Sequence, residues 1–451
     1  MISSLGERNF INRGEELKLI DSAFEALRDE KRLLRTPIID FFGVDGMGKT
    51  SVLQEVRQRC QQQSLHYIWV NVNQKPEQFL SQWLRQARQL HADDQADTPK
   101  TAEDLCKHSV KAMKSLLEKE PIVALLDEVD SDKTEDIGWI ETILHDLIDL
   151  MDVHNLFVVL ASQQQVSFDK HRSVARKLIS HQLKPFDQEA CQSYLSDIAG
   201  TVDLTIREEI ISWGQGYPLA MKVMSRLIQE QKLDPRVPAD QKRLISALME
   251  EVVDRGIFAR VVEPDRLSWC KEYVSLLSIP RRFNLVILQN LTEEFAENLK
   301  LAGKLEYLGL PRQINQGTDV LYWDMRKSGF TINETARRLF FRQCAIEQLE
   351  RFYAIHRFLA GQNQQFAGEV NGSDRIRYLR EYLYHSTFFE GTQTLPPLLA
   401  RVLQDIANEK LDSIVQFSEE LQQDEELKDA LGPHLAIVTN FVNTTFKKEG
   451  K

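Results

Sequence analysis

Cysteine is scarce and scattered in this chain. Cys60, Cys106, Cys191, Cys270 and Cys344 lie far apart, and none forms a C-x-x-C pair. That spacing excludes a disulfide framework and a thiolate metal site, and reads as reduced thiols in a cytoplasmic protein. Long uncharged apolar runs are missing too, so no segment reads as a membrane helix. The first residues, Met1-Ile2-Ser3-Ser4-Leu5-Gly6-Glu7-Arg8, lack the basic-then-apolar order of an export signal. Positive charge is in deficit: 56 Lys and Arg against 67 Asp and Glu leave a net charge of −11. This argues against a generally nucleic-acid-binding surface, although a local basic patch can survive it. No low-complexity tract or internal repeat stands out. What remains is ordinary globular material, 42% apolar and 27% charged over 451 residues, enough for about two to four domains.

The chain is organised around Gly43-Val44-Asp45-Gly46-Met47-Gly48-Lys49-Thr50. This is the G-x-x-x-x-G-K-[ST] phosphate loop in its required context. The apolar run Pro37–Phe42 reads as a buried strand before it, and Ser51-Val52-Leu53-Gln54-Glu55-Val56 as a helix start after it. Glycines let successive N–H groups point at one centre, and the helix N-terminus adds partial positive charge there. Lys49 is expected to reach the β- and γ-phosphates, and the Thr50 hydroxyl to bind Mg²⁺. Gly43, Asp45, Gly46, Met47, Gly48, Lys49, Thr50 and Ser51 are the expected nucleotide-binding residues on this loop.

Further strands are expected at 66–72, 121–128, 155–162 and 179–183, with helices near 76–91, 101–119 and 134–152. Alternation of this kind calls for a doubly wound parallel sheet. Its expected order puts the 155–162 strand between the phosphate-loop strand and the 121–128 strand. Helices follow at 187–199, 204–213 and 218–232, then a linker at 233–238 and a helix at 239–255. Patterns at 266–278, 284–290 and 293–308 read as helices, 320–325 as a strand, 327–329 as a turn and 331–341 as a helix, which suggests a winged helix. Helical hairpins broken at 361–373 and 391–397 complete the chain.

Pro121-Ile122-Val123-Ala124-Leu125-Leu126-Asp127-Glu128 is apolar on both faces and ends in two acids, the Walker B pattern. Asp127 is the expected Mg²⁺ ligand, and Glu128 the group that orients and polarises an attacking water, so Glu128 and Lys49 are the expected catalytic residues. Asp130, Asp132 and Asp136 read as a solvated loop without EF-hand spacing. Ser162 and Gln163, at a strand end where open sheets bind ligands, are both candidates for touching the γ-phosphate or the water. The scattered histidines, such as His385, read as structural. Arg281-Arg282 and Arg337-Arg338 with Arg342 are the best basic spots for DNA.

Several motifs occur in one order. Phe10-Ile11-Asn12-Arg13 resembles the F-[VI]-G-R-E motif that opens STAND-class ATPases, the signal-transducing relatives of AAA+ proteins that include the NB-ARC and NACHT groups. The phosphate loop and Asp127-Glu128 fit that class. Leu183-Lys184-Pro185-Phe186 is similar to the segment leading to its helical lid, and Gly216-Tyr217-Pro218-Leu219-Ala220 to the lid's G-x-P-L-A motif. The resemblance covers about residues 8–345. It implies an ASCE-type α/β P-loop domain at 1–186, a helical lid at 187–262, a winged helix at 263–345 and a C-terminal helical, hairpin or TPR-like region at 346–451. It also implies Arg13 and Pro218 beside the adenine. The chain departs from the class in places: Asn12 and Gly14 replace its usual Gly and Glu, Ala161-Ser162-Gln163-Gln164 stands where many members have a γ-phosphate-sensing arginine, and Ile332-Asn333-Glu334 falls near the ADP-locking Met-His-Asp.

The resemblance implies a cytoplasmic switch that binds ATP or ADP with Mg²⁺, hydrolyses slowly and self-assembles when ATP is bound. A separate effector or sensor protein would give the output, in bacterial antiviral defence or regulation, without a membrane. One rival is an AAA+-like DNA-associated ATPase, a loader or transposition helper; another is a nucleotide-bound scaffold that does not hydrolyse.

Overall fold

The computed structural model describes residues 13–28, 34, 36–91, 99–129, 134–148, 155–200, 203–318, 320–325, 327–391, 393–409 and 411–449. They form two compact units. The first comprises the chain to Arg236 together with Glu250–Ile257, and the second comprises Val237–Met249 and the chain from Phe258 onward.

In the first unit the order is α1 (Gly14–Arg28), β1 (Ile38–Phe42), α2 (Lys49–Gln62), β2 (His66–Asn71), α3 (Pro76–His91), α4 (Ala102–Leu117), β3 (Ile122–Val129), α5 (Thr134–Ile148), β4 (Leu156–Ser162), α6 (Arg172–Ala175) and β5 (Leu178–Gln182). The five strands make one parallel sheet in the order β2-β3-β4-β1-β5. So β4 lies between the strand that leads into the phosphate loop and the strand that carries the acid pair, as expected. Strands covered on both faces must be apolar throughout, and every residue of β4 is buried. Helix α3 shows how the covering works: Phe79, Leu80, Trp83, Leu84 and Ala87 recur on one stripe and are all buried in the sheet core. Each large side chain so placed contributes about 1.5–3 kcal/mol.

One strand residue breaks the apolar rule. Asp40, in the middle of β1, has no exposed surface. Its carboxylate accepts from Ser162 Oγ and, at 2.9 Å, from the backbone N–H of Val166. It therefore ties the end of β4 and the loop beyond it to the strand feeding the phosphate loop.

Strand β3 carries a bulge. Leu126 faces Leu160 and Val129 faces Ser162, so one extra residue is fitted between them. Glu128 takes the left-handed conformation there, with φ 56°.

Helices α7 (Gln188–Ser193), α8 (Leu204–Gly214) and α9 (Pro218–Gln231) complete this unit, α7 continuing as a π-helical turn over Tyr194–Ile198. Asp187 caps α7 by accepting from Ala190 N at 2.8 Å, and Asp203 caps α8 through Thr205 N and Ile206 N. Between α8 and α9 the chain turns at Gly216, φ 77°, where a Cβ would lie 2.1 Å from the Phe186 carbonyl oxygen. Only glycine fits, and the Phe186 N–H donates to the Gly216 carbonyl at 2.8 Å.

The second unit runs α10 (Pro238–Leu248), α11 (Pro264–Leu277), α12 (Leu285–Phe295), α13 (Glu306–Asn315), β6 (Leu321–Asp324), β7 (Gly329–Ile332), α14 (Glu334–Glu347), α15 (Leu349–Glu369), α16 (Gly372–Ser386), α17 (Leu395–Glu409), α18 (Leu411–Gln422), α19 (Glu425–Leu431) and α20 (Leu435–Glu449). Strands β6 and β7 pair antiparallel, and Phe283, just before α12, exchanges backbone hydrogen bonds with Phe330 of β7 at 2.9 and 2.8 Å. Three sequence expectations need correction here. No single helix covers 293–308: α12 ends at Phe295, and the carbonyl of Leu299 is instead held by Tyr273 Oη at 2.7 Å. Thr331 and Ile332 belong to a strand, and the helix starts only after Asn333, which caps it by accepting from Thr335 N at 3.1 Å. Gly361 does not break α15. It lies where an added Cβ would touch nothing, and Leu359, Ala360, Asn363 and Ala367 keep the buried face continuous around it. One exposed glycine costs a helix only about 1 kcal/mol, less than that face returns.

Candidate nucleotide site

The loop between β1 and α2 is turned by Gly46, φ 84°, and Gly48, φ 94°, the latter at the N-cap of α2. The loop lies at the carboxyl end of β1, the end of an open α/β sheet where ligands are taken. Lys49 is 9% exposed, and its ammonium donates to the carbonyls of Gly43 at 2.8 Å and Val44 at 3.2 Å and to Asp45 Oδ1 at 2.9 Å. Thr50 and Ser51 are exposed and Met47 is buried. The Gly43 N–H donates to the Ser162 carbonyl at 3.2 Å, which fastens the loop to β4.

Asp127 and Thr50 meet: Thr50 Oγ1 donates to Asp127 Oδ1 at 3.3 Å, and the same oxygen accepts from the Glu128 N–H at 3.0 Å. Burial raises the Asp127 pKa above its ordinary value, opposed by those hydrogen bonds. A hydroxyl and one carboxylate at a wet loop suit Mg²⁺, which keeps several waters. Glu128 is not on this cluster. The bulge turns it outward to accept from Asn71 Nδ2 at 2.7 Å, at the end of β2. Of the two β4 candidates, Ser162 is fully buried and bonded to Asp40 and to the Gln164 carbonyl, so it faces inward. Gln163 faces the loop and donates through Nε2 to Asp45 Oδ2.

Arg13 and the turn between α8 and α9 also come to this loop. The guanidinium of Arg13 donates to the Met47 carbonyl at 2.7 Å and the Lys184 carbonyl at 2.8 Å, and lies 5.1 Å from the Phe186 ring centre. Burial lowers its pKa, with Glu16 opposing. It fastens the loop to the segment that leads into α7. Across the loop, Leu219 and Tyr217 crowd Gly46: a Cβ there would come within 2.5 Å of Leu219 Cβ and 2.7 Å of Tyr217 Oη. Pro218 between them is half-buried at the first turn of α9. Phe10, Ile11, Asn12, Asp130 and Asp132 lie outside the described residues, and Asp136 is buried in α5 rather than in a solvated loop.

Asp40, Asn71 and Tyr217 carry parts of this arrangement that the motifs did not indicate. Burial pushes the Asp40 pKa up to about 6, against the Ser162 and Val166 hydrogen bonds and the charge of Lys49. The one available signal was an acid inside an otherwise apolar strand.

Three arginines of the basic spots, Arg281, Arg282 and Arg337, turn out to be internal, while Arg338 and Arg342 are half-buried. Arg281 is 4% exposed and pairs with Glu381 at 2.8 Å and Asp424 at 2.6 Å, while Arg337, 3% exposed, pairs with Glu426 at 2.7 Å. Arg282 is buried over the Tyr378 ring, and Arg338 pairs with Glu334 on its own helix. His385 is buried with its Nδ1 3.0 Å from that of His356.

Phosphate loop, acid pair and strand order define a parallel-sheet α/β P-loop fold. Residues 35–168 match the family described as an AAA domain. Similar solved structures include the ORC2 protein of Aeropyrum pernix in its ADP form, 16% identical over 76% of this chain and 97% of that one, TM-score 0.46. AMPPCP-bound DnaA from Aquifex aeolicus is 16% identical over 68% of this chain and 88% of that one, TM-score 0.36. A STAND protein with a tetratricopeptide repeat sensor from Pyrococcus horikoshii is 12% identical over 94% of this chain and 58% of that one, TM-score 0.36. No curated protein matches the sequence. Among the described residues no helix is long and apolar enough to cross a membrane.

Proposed function

We propose that this protein is a STAND-like ATPase switch: the first unit binds ATP or ADP with Mg²⁺ and hydrolyses ATP slowly, and the ATP form self-assembles. The observation that carries the reading is convergence on one loop. Lys49, the Thr50–Asp127 pair, Arg13 and the 216–220 turn all meet at the phosphate loop within a single unit. Loop amides and Lys49 would hold the phosphates, Thr50 and Asp127 the metal, and Arg13 and Pro218 the adenosine side. ATP supplies a transferable phosphoryl group and Mg²⁺ neutralises its charge. The residues bind and align the phosphates, and Glu128, once freed from Asn71, orients and polarises the attacking water.

Helices α11 to α14, with the 321–332 hairpin and the Phe283–Phe330 bridge, support a winged helix at 263–345, after a lid at 187–262 and before a hairpin or TPR-like region at 346–451. Burial of Arg281, Arg282 and Arg337 weakens the DNA-associated alternative. Output through a separate effector or sensor protein in the cytoplasm follows from the resemblance alone. A second reading, a nucleotide-bound scaffold, is favoured by one observation: Gln163 stands at the end of β4 without the charge of an arginine.

Two variants test the proposal. Lys49→Ala should abolish or greatly weaken Mg-ATP binding measured by calorimetry, because a cation is lost from a polyanion site. Glu128→Gln should keep binding, cut phosphate release, and raise the mass by light scattering in ATP. Near-zero release from both wild type and Glu128→Gln, with identical masses, would decide for the scaffold.

A further inference from the structure

Asp45 is an acid placed inside a loop meant for phosphate. Its two carboxylate oxygens are both engaged, Oδ1 by the Lys49 ammonium at 2.9 Å and Oδ2 by Gln163 Nε2. Asp45 thus holds the same cation that a polyphosphate needs, and a ligand that takes Lys49 strips the carboxylate of one of its two donors. A third donor stands next to it without a partner. Tyr217, the residue that opens α9, has no exposed surface, and its hydroxyl has no hydrogen-bond partner. That hydroxyl points at the loop, 2.7 Å from where a Cβ on Gly46 would be. Burial and, after it, the charge of Asp45 push the phenol's pKa up, so hydroxyl and carboxylate are electrical neighbours. A buried hydroxyl left unbonded costs about 1–3 kcal/mol, a cost that a conformation giving it an acceptor would remove.

The geometry points to a latch: when phosphate oxygens take Lys49, the Asp45 carboxylate turns to accept the Tyr217 O–H, and helix α9 is thereby fastened to the phosphate loop. Gln163 keeps the other oxygen and limits the turn to a swing about one bond. The lid thus senses an occupied loop through a residue of the loop itself, at a position where the sheet offers no arginine to do it. The inference rests on the nucleotide-binding reading above and adds the route by which binding reaches the lid.

A double-mutant cycle on the full chain tests it, with calorimetry of Mg-ATP. Tyr217→Phe removes one oxygen that bonds nothing in this structure, so the fold keeps its contacts. The variant should bind Mg-ATP about tenfold more weakly, the worth of one hydrogen bond to a charged acceptor. In an Asp45→Ala background the same change should have no effect, because the acceptor is gone. Hydrogen exchange gives the second readout. Mg-ATP should protect the amides of 217–224 in wild type but not in Tyr217→Phe, while the amides of 43–50 gain protection in both. Unchanged affinity of Tyr217→Phe, an equal loss in both backgrounds, or undiminished protection of 217–224 in that variant would each overturn the latch and leave nucleotide binding standing. Wild type that does not bind Mg-ATP, or binds it as well after Lys49→Ala, would overturn both.

Discussion

Asn71 Nδ2 donates to Glu128 Oε2 at 2.7 Å, and Asn71 is itself fixed because its Oδ1 accepts from the Asn73 N–H at 2.9 Å. In the sheet, β2 lies on one side of β3, while β4 and the phosphate-loop strand β1 lie on the other. Asn71 therefore draws the carboxylate away from the side where Lys49 and Thr50 stand. Asn71→Ala should free it and raise the turnover of bound ATP several-fold, while Mg-ATP affinity stays the same because Asn71 touches no loop residue. Single-turnover phosphate release with a parallel binding titration checks this; slower release would mean that Asn71 positions the glutamate for work.

The turn at Gly216 gives a second test. Gly216→Ala forces a Cβ to 2.1 Å from the Phe186 carbonyl oxygen at a left-handed φ. Stability should fall by about 2–3 kcal/mol, and Mg-ATP should bind more weakly, because Tyr217 and Leu219 leave Gly46. Thermal melts and calorimetry read the two effects separately.

Asp40 predicts a pH dependence. Its pKa is raised from 3.8 to about 6 in the folded protein, so between those values the native state holds a proton that the unfolded chain has lost. Stability from this group is therefore present below pH 4 and lost as pH rises to 6, a swing of about 3 kcal/mol at most. Asp40→Asn lacks the ionisation. The difference in urea stability between wild type and Asp40→Asn should move in favour of wild type as pH falls from 7 to 4. A pH-independent difference would show that the carboxyl ionises normally in place.

The second unit should depend on its buried ion pairs. Arg281→Met strands the Glu381 and Asp424 carboxylates and should cost about 3–5 kcal/mol. Arg338→Met, which breaks a half-exposed pair with Glu334 on the same helix, should cost only about 0.3–0.5 kcal/mol. Urea midpoints of the two variants make the comparison. Burial opposes ionisation of Glu426, but Arg337 and then Arg281 outweigh it and hold its pKa at about 2. That contribution is complete above the ordinary value of 4.5 and lost as pH falls through 2.

The strands of the first unit were legible because a strand covered on both faces must be apolar along its length, and the loop because so many of its positions are constrained at once. The acid pair was legible as residue types, but not its geometry. Nothing in Leu126-Asp127-Glu128-Val129 announces a bulge, since that depends on the two residues that β4 offers opposite three of β3. Asn71 and Tyr217 became meaningful only once β2 and α9 were placed. The basic spots misled for a related reason. Neighbouring arginines look like a surface patch, whereas the partners of Arg281 are 100 and 143 residues away and internal. Gly361 and the 293–308 stretch erred at the level of local signals, one overridden by a continuous buried face and the other lacking one.

The bulge in β3 has a consequence for how this protein can change over generations. Val129 returns to register opposite Ser162, so the ladder closes with one residue to spare between Leu126 and Val129. Removing Glu128 altogether would leave a regular parallel pairing, with Val129 still in the core. A single codon deletion would thus erase the acid to which we assign the attacking water and spare the sheet, the loop and the Thr50–Asp127 pair. In the proposed reading, switch and scaffold are then neighbours in sequence space, one deletion apart, with no unfolded intermediate between them.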